Sequence, residues 1–188
     1  MFARKRIKNI ISQPNSLTLF RIAVIPIIVI LLLFPNRICT LLSTILFTAA
    51  AITDYFDGFF ARRRDLVSNF GKAMDPLADK LLISSVFIML SSHGWVPAWI
   101  VCIIISRELA VTGLRNIMSE NSLDLSASRL GKYKTGFQIS AIIPLIIHFE
   151  YVGVNFQSIG DIILWIALAL TMWSGIDYFI RYRKLFYS

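Results

Sequence analysis

The fold class that the sequence predicts is all-α and membrane-integral: six transmembrane helices preceded by a short N-terminal interfacial amphipathic helix. Three observations lead there. Hydrophobic residues make up 56% of the 188 residues, charged residues only 16%, and mean hydropathy is +0.69. Soluble domains run near 45–50% apolar and about 25% charged, so a water-soluble fold of this length would struggle to hide its apolar side chains. Six apolar stretches come close to the roughly 20 residues that a helix needs to cross a bilayer. Lysine and arginine, finally, gather on alternate connections between those stretches. The same apolar excess excludes intrinsic disorder. Cys39 and Cys102 both sit in apolar runs, which supports neither a disulfide scaffold nor a cysteine-rich zinc site.

Residues 1–13 read as the interfacial helix, with Ile7, Ile10 and Ile11 on one face, Lys5 opposed to them and Arg4 and Lys8 flanking. A cleaved signal peptide is the competing reading, but Pro35-Asn36-Arg37 after the first apolar run is a poor cleavage site. The six-helix core then occupies 14–184, with spans at about 17–34, 40–60, 73–91, 96–118, 131–149 and 158–180. Helices suit these stretches because each satisfies its own backbone hydrogen bonds in lipid. Asn15 or Ser16 reads as the cap of the first span, and Arg21 as a side chain snorkelling from it. The alternation expected of barrel strands is absent, and no repeat or second domain is visible, so 1–188 reads as one membrane domain.

Arg4, Lys5, Arg6 and Lys8 precede the first span. Arg62, Arg63, Arg64 and Lys72 lie between the second and third, Arg115, Arg129, Lys132 and Lys134 around the connection of the fourth and fifth, and Arg181, Arg183 and Lys184 after the sixth. The opposite connections, near Arg37, His93 and Glu150, carry Arg37 alone. The positive-inside rule therefore places both termini in the cytoplasm, as an even number of spans requires. Topology accounts for the net charge of +8 without nucleic acid. With no organelle-targeting extension visible, the expected location is a bacterial plasma membrane.

Charge at membrane depth is costly and marks function. Asp54 and Asp57 are three apart and Asp75 and Asp79 four apart, so each pair shares a helical face. Gly58 and Ala61 extend the first face as a shallow stripe that a ligand can approach. Four carboxylates close together raise one another's pKa unless cations compensate. Oxygen-only ligands favour hard ions such as Mg²⁺ or Mn²⁺, and two such ions suit a transferred phosphoryl group. The structural alternative is a salt-bridged cluster with Arg62, Arg63, Arg64, Lys72 and Lys80, and a small cation transporter or channel is the functional one.

The run from Asp54-Tyr55-Phe56-Asp57-Gly58 through Ala61-Arg62, Gly71, Asp75 and Asp79 fits D-x2-D-G-x2-A-R-x8-G-x3-D-x3-D without departure. This resembles the signature of the CDP-alcohol phosphatidyltransferases. The resemblance implies a six-helix membrane enzyme, normally a homodimer, whose active site opens to the cytoplasm. It further implies two divalent cations: Asp54, Asp57 and Asp75 would hold one, and Asp54, Asp75 and Asp79 the other. Asp79 would be the general base. Asn15, Thr18, Gly58, Ala61, Arg62 and Ser68 would serve the CDP-diacylglycerol site, with Gly71 shaping the loop.

Within the family, Pro14-Asn15-Ser16-Leu17-Thr18-Leu19-Phe20-Arg21 is similar to the P-N-x-L-T-x-x-R opening of the phosphatidylglycerophosphate synthases. Arg107-Glu108, Leu114-Arg115 and Gly131-Lys132-Tyr133-Lys134-Thr135 resemble their R-E-x5-L-R and G-K-x-K-T stretches. The last third is matched only in hydropathy. An acceptor carrying its own phosphate needs a cationic pocket, and Arg107, Arg115, Lys132 and Lys134 would supply one for sn-glycerol 3-phosphate. Arg107 and Glu108, inside an apolar helix, want partners, either each other or a bound ion. Asp177 is a further intramembrane carboxylate that could pair with Arg181 one turn on. The expected reaction is transfer of the phosphatidyl group from CDP-diacylglycerol to sn-glycerol 3-phosphate. The nearest alternatives make phosphatidylinositol phosphate, phosphatidylserine or cardiolipin.

Overall fold

In the computed structural model, residues 13–61, 69–120, 129–151 and 153–182 are described, with side chains over 19–53, 74, 77–116, 118, 131, 133–151 and 153–180. Among them are six helices: α1 (Gln13–Leu33), α2 (Arg37–Ala61), α3 (Asn69–Ser92), α4 (Ala98–Glu120), α5 (Arg129–Ile147) and α6 (Phe156–Tyr182). Each coincides with one predicted apolar stretch. The expected interfacial helix falls almost wholly outside the described residues. One segment, Phe156–Ile180, is both long and apolar enough to cross a membrane among the described residues. Leu19–Leu33, Arg37–Thr53 and Tyr133–Ile147 are shorter apolar stretches.

The helix ends follow local chemistry. α1 begins before the predicted boundary because Pro14 is compatible with a first turn, where no intrahelical N–H is needed. Asn15 and Ser16 therefore lie inside the helix rather than capping it. The Asn36 side chain accepts from the backbone N–H groups of Ile38 (3.1 Å) and Cys39 (2.9 Å), which caps α2. Along α2, Thr40 and Thr44 are buried and donate their hydroxyls to carbonyls of the preceding turn, so neither is left unsatisfied. α3 ends in a Schellman arrangement: Gly94 takes a φ of 74°, its N–H reaches the Ser91 carbonyl, and Trp95 N–H reaches that of Leu90. Asn155 caps α6 by accepting from Ser158 N–H at 3.0 Å.

The chain divides into two compact units, Met1–Met89 and Leu90–Ser188. In the first, α1 packs against α2, and Val24, Ile28, Leu32, Phe47 and Ala50 are buried. Arg21 is only 1% exposed, a charged side chain drawn into the unit rather than out of it.

In the second unit α5 and α6 form an antiparallel helical hairpin. Its tip is a two-stranded ladder, β1 (Glu150–Tyr151) with β2 (Val154–Asn155), paired Glu150 to Asn155 and Tyr151 to Val154. Gly153 takes a φ of 75° in the turn. Gly160 lets the two helices close: a Cβ there would lie 2.5 Å from Leu145 Cγ. Farther down, Gln138 donates to the Thr171 hydroxyl at 3.1 Å, both residues buried. Near the hairpin tip, Trp95 stacks on His148 at 4.1 Å, and Gln157 ties them by bonding His148 Nδ1 (2.8 Å) and the Trp95 carbonyl (2.8 Å). Both histidines thus belong to an aromatic cluster, with His93 5.0 Å from Trp95.

α6 has two unlike faces. Gly160, Leu164, Ala167, Leu168, Thr171, Ser174, Gly175 and Tyr178 are buried at helical spacing. Ile162, Trp165, Trp173, Ile176 and Ile180 are exposed on the opposite side. Small and polar residues inward with large apolar residues outward suit a lipid-facing helix.

Candidate active site

The carboxylate motif is distributed over two helices. Asp54, Asp57, Gly58 and Ala61 lie in the last turns of α2, while Gly71, Asp75 and Asp79 lie in the first turns of α3. The helical spacing that puts Asp54 with Asp57, and Asp75 with Asp79, on shared faces is therefore present in the backbone. Gly71, expected in the connecting loop, sits instead in the first turn of α3, because that helix already starts at Asn69. Asp79 and Lys80 are half-buried. The side chains of Asp54, Asp57 and Asp75 lie outside the described residues, as do those of Asn15, Thr18 and Lys132 and the whole of Arg62 and Ser68. Among the described residues no group of three or more His, Cys, Asp or Glu is gathered to hold a metal. The motif's donor set, all carboxylate oxygen, fits Mg²⁺ or Mn²⁺ by chemistry.

The basic residues of the second unit are brought together more explicitly. Glu108 on α4 is the hub. It accepts from Arg107 Nη1 at 3.3 Å and from Lys134 Nζ on α5. Lys134 is 5% exposed, so its charge is turned inward and held on a carboxylate. Arg107 and Lys134 are both singled out by the sequence, but the pairing of Glu108 with Lys134, 26 residues away, is not. Arg107 Nη2 donates to Ser174 on α6, and the buried Arg107 Nε has no hydrogen-bond partner among the described residues. Gly175 sits under this side chain; a Cβ there would be 3.2 Å from Arg107 Cγ.

Arg115 lies two turns farther along α4. Its Nε donates to the Tyr178 hydroxyl at 3.1 Å, and its Cζ stands 5.5 Å from the centre of the Tyr178 ring. Tyr178 is itself buried with Val111 and Met118, against Leu114. Arg107 meets Ser174 and Arg115 meets Tyr178, so α4 and α6 run in the same direction. Asp177 is half-buried, and the side chain of its expected partner Arg181 lies outside the described residues.

Comparison with known proteins settles the family. A model for the CDP-alcohol phosphatidyltransferases matches residues 11–173. The chain belongs to the CDP-alcohol phosphatidyltransferase family. Family members depend in general on divalent metal ions. Three relatives are bacterial proteins named CDP-diacylglycerol–glycerol-3-phosphate 3-phosphatidyltransferase. That of Bacillus subtilis is 44% identical, the match covering 88% of this chain and 92% of the relative. That of Rickettsia felis is 42% identical, over 92% of this chain and 96% of the relative. That of Pectobacterium atrosepticum is 36% identical, over 88% and 91%. The family match ends at residue 173, so Ser174, Gly175 and Tyr178 lie beyond it.

Proposed function

We propose that this protein transfers the phosphatidyl group from CDP-diacylglycerol to sn-glycerol 3-phosphate, releasing CMP and forming phosphatidylglycerol phosphate. The observation that carries this reading is the name shared by relatives at 36–44% identity across nearly the whole chain. The protein works as a single six-span domain, a homodimer in a bacterial plasma membrane, with both termini and the active site on the cytoplasmic side. The outward apolar face of α6 and the one-sided placement of lysine and arginine support that arrangement.

Asp54, Asp57, Asp75 and Asp79 hold two divalent cations, Mg²⁺ or Mn²⁺, which when bound offset the charge of the diphosphate. Asp79 takes the proton from the acceptor hydroxyl as that oxygen attacks the phosphorus bearing the diacylglycerol. The bond from that phosphorus to the bridging oxygen breaks, and CMP leaves with the oxygen. Asn15, Thr18, Gly58, Ala61, Arg62, Ser68 and Gly71 bind the nucleotide lipid. Gly58 and Ala61 keep the α2 surface low, and the Arg62 guanidinium answers the diphosphate charge. Positioning and electrostatics carry most of the rate, as is general for phosphoryl transfer.

Arg107, Arg115, Lys132 and Lys134 bind the acceptor's phosphate. In the structure Glu108 holds two of these cations, Arg107 and Lys134, and keeps them from repelling each other inside an apolar helical hairpin and its neighbour. Arg115 is the cleaner probe, because its Nε is held by the neutral Tyr178 hydroxyl and not by a charged partner. A lost charge-assisted hydrogen bond costs about 1.5–3 kcal/mol, or about 10- to 150-fold. Arg115→Ala is expected to raise the KM for glycerol 3-phosphate by that order while leaving the KM for CDP-diacylglycerol nearly unchanged. Unchanged acceptor kinetics in Arg115→Ala, Lys132→Ala and Lys134→Ala alike would remove the phosphate pocket.

A further inference from the structure

We infer that the Ser174–Gly175–Tyr178 stripe of α6 is the positioning element of the acceptor pocket, with Tyr178 aiming Arg115 and the Ser174–Gly175 pair seating Arg107. This rests on the assignment of those two arginines to the acceptor's phosphate. It concerns residues that the family match does not reach.

The three residues follow Thr171 at intervals of three, one and three, a single face of the helix, and all are buried. Their neighbours on α4 are eight residues apart, Arg107 and Arg115, which also share a face. Each arginine is met by a different device. At Arg115 the phenol accepts from Nε at 3.1 Å while the ring faces the guanidinium at 5.5 Å. A guanidinium on a flexible stem has many orientations; one hydrogen bond and one ring face together select a plane for it. With Nε engaged by Tyr178, a two-point contact with a phosphate falls to the Nη edge of the fork. Tyr178 can impose this geometry because it is only 4% exposed and packed with Val111 and Met118. The ring is fixed by apolar contacts, and the hydroxyl transmits that fixity to the cation.

At Arg107 the device is space. Ser174 accepts from Nη2, and the missing side chain at Gly175 leaves room for the guanidinium stem, since a Cβ would come within 3.2 Å of Cγ and 3.4 Å of Nε. Arg107 is about nine-tenths buried, and its Nε is a buried donor with no hydrogen-bond partner among the described residues. Leaving a buried donor unmade is costly, and an anionic acceptor supplies the chemistry that such a donor lacks.

The test is a set of acceptor and donor kinetics on the full-length protein in mixed micelles. Tyr178→Phe removes one oxygen and keeps the ring, its packing and its face toward Arg115. The KM for glycerol 3-phosphate is expected to rise about 3- to 30-fold, with the KM for CDP-diacylglycerol and the Tm unchanged. Ser174→Ala is expected to act in the same direction through Arg107, which gives a second reading should the first variant insert poorly. In an Arg115→Ala background, Tyr178→Phe is expected to add less than about 2-fold, because residues acting through one another are not additive. A merely structural tyrosine predicts the opposite pattern: a lowered Tm, both KM values shifted, and additivity with Arg115→Ala. That pattern would overturn the inference, as would an unchanged acceptor KM in Tyr178→Phe and Ser174→Ala when Arg115→Ala raises it. If Arg115→Ala leaves acceptor capture unchanged, Arg115 is not part of the acceptor site and this inference falls with it; the pocket itself falls only if Lys132→Ala and Lys134→Ala are without effect as well.

Discussion

Chelation of divalent metal is expected to abolish CMP release entirely, and readdition of Mg²⁺ or Mn²⁺ to restore it. The expectation follows from charge. Asp54 and Asp57 sit three apart on α2, Asp75 and Asp79 four apart on α3, and the residues are held on helices that cannot easily splay them. Carboxylates brought together as the proposed site requires repel one another, and an anionic diphosphate would be repelled by them. Two divalent cations, if held there, would offset those four negative charges. Removing the cations therefore removes both substrate binding and stabilisation of the departing charge, which is why the loss is expected to be complete rather than partial. Glycerol 3-phosphate turnover at an unchanged rate in EDTA-treated, metal-free buffer would contradict the proposed chemistry.

Asp79→Asn is expected to lower kcat by about 10²–10⁴-fold, the usual cost of losing a general base. The amide keeps one oxygen able to coordinate a cation but cannot accept the proton of the attacking hydroxyl. CDP-diacylglycerol binding is therefore expected to survive far better than turnover, and the split between the two is the diagnostic feature. Asp79 is half-buried one turn after Asp75, where a substitution of equal size is not expected to disturb the packing of α3. Normal turnover in the variant would show that the proton leaves by another route. Loss of binding and turnover in equal measure would make Asp79 a metal ligand alone.

Much of this molecule is legible in its sequence because the relevant physics is local. Each of the six helices coincides with an apolar stretch bounded by turn or charged residues, and the carboxylate pairs are read directly from spacings of three and four on those helices. The departures are also local. Pro14 is tolerated in the first turn of α1, which moves that boundary toward the N-terminus, and α3 begins at Asn69, which takes Gly71 into the helix. The cationic site was legible in composition but not in arrangement. Arg107 and Glu108 were left between pairing with each other and holding an ion. The structure gives them each other and adds Lys134, a contact that depends on how α5 is rotated against α4. Sequence reading missed Ser174, Gly175 and Tyr178 altogether. Their signal was present, a small and polar stripe at helical spacing running on from Thr171, but an apolar run hides such a stripe until the neighbouring helix is known.

A single product analysis decides the identity of the acceptor. Purified protein would be incubated with CDP-diacylglycerol, Mg²⁺ and, in parallel, sn-glycerol 3-phosphate, inositol phosphate, serine or phosphatidylglycerol, and the lipids formed would be identified by mass. The expected result is phosphatidylglycerol phosphate, with CMP released in equal amount, and no comparable product from the other acceptors. Formation of phosphatidylinositol phosphate, phosphatidylserine or cardiolipin at a higher rate, with glycerol 3-phosphate left unconsumed, would contradict it.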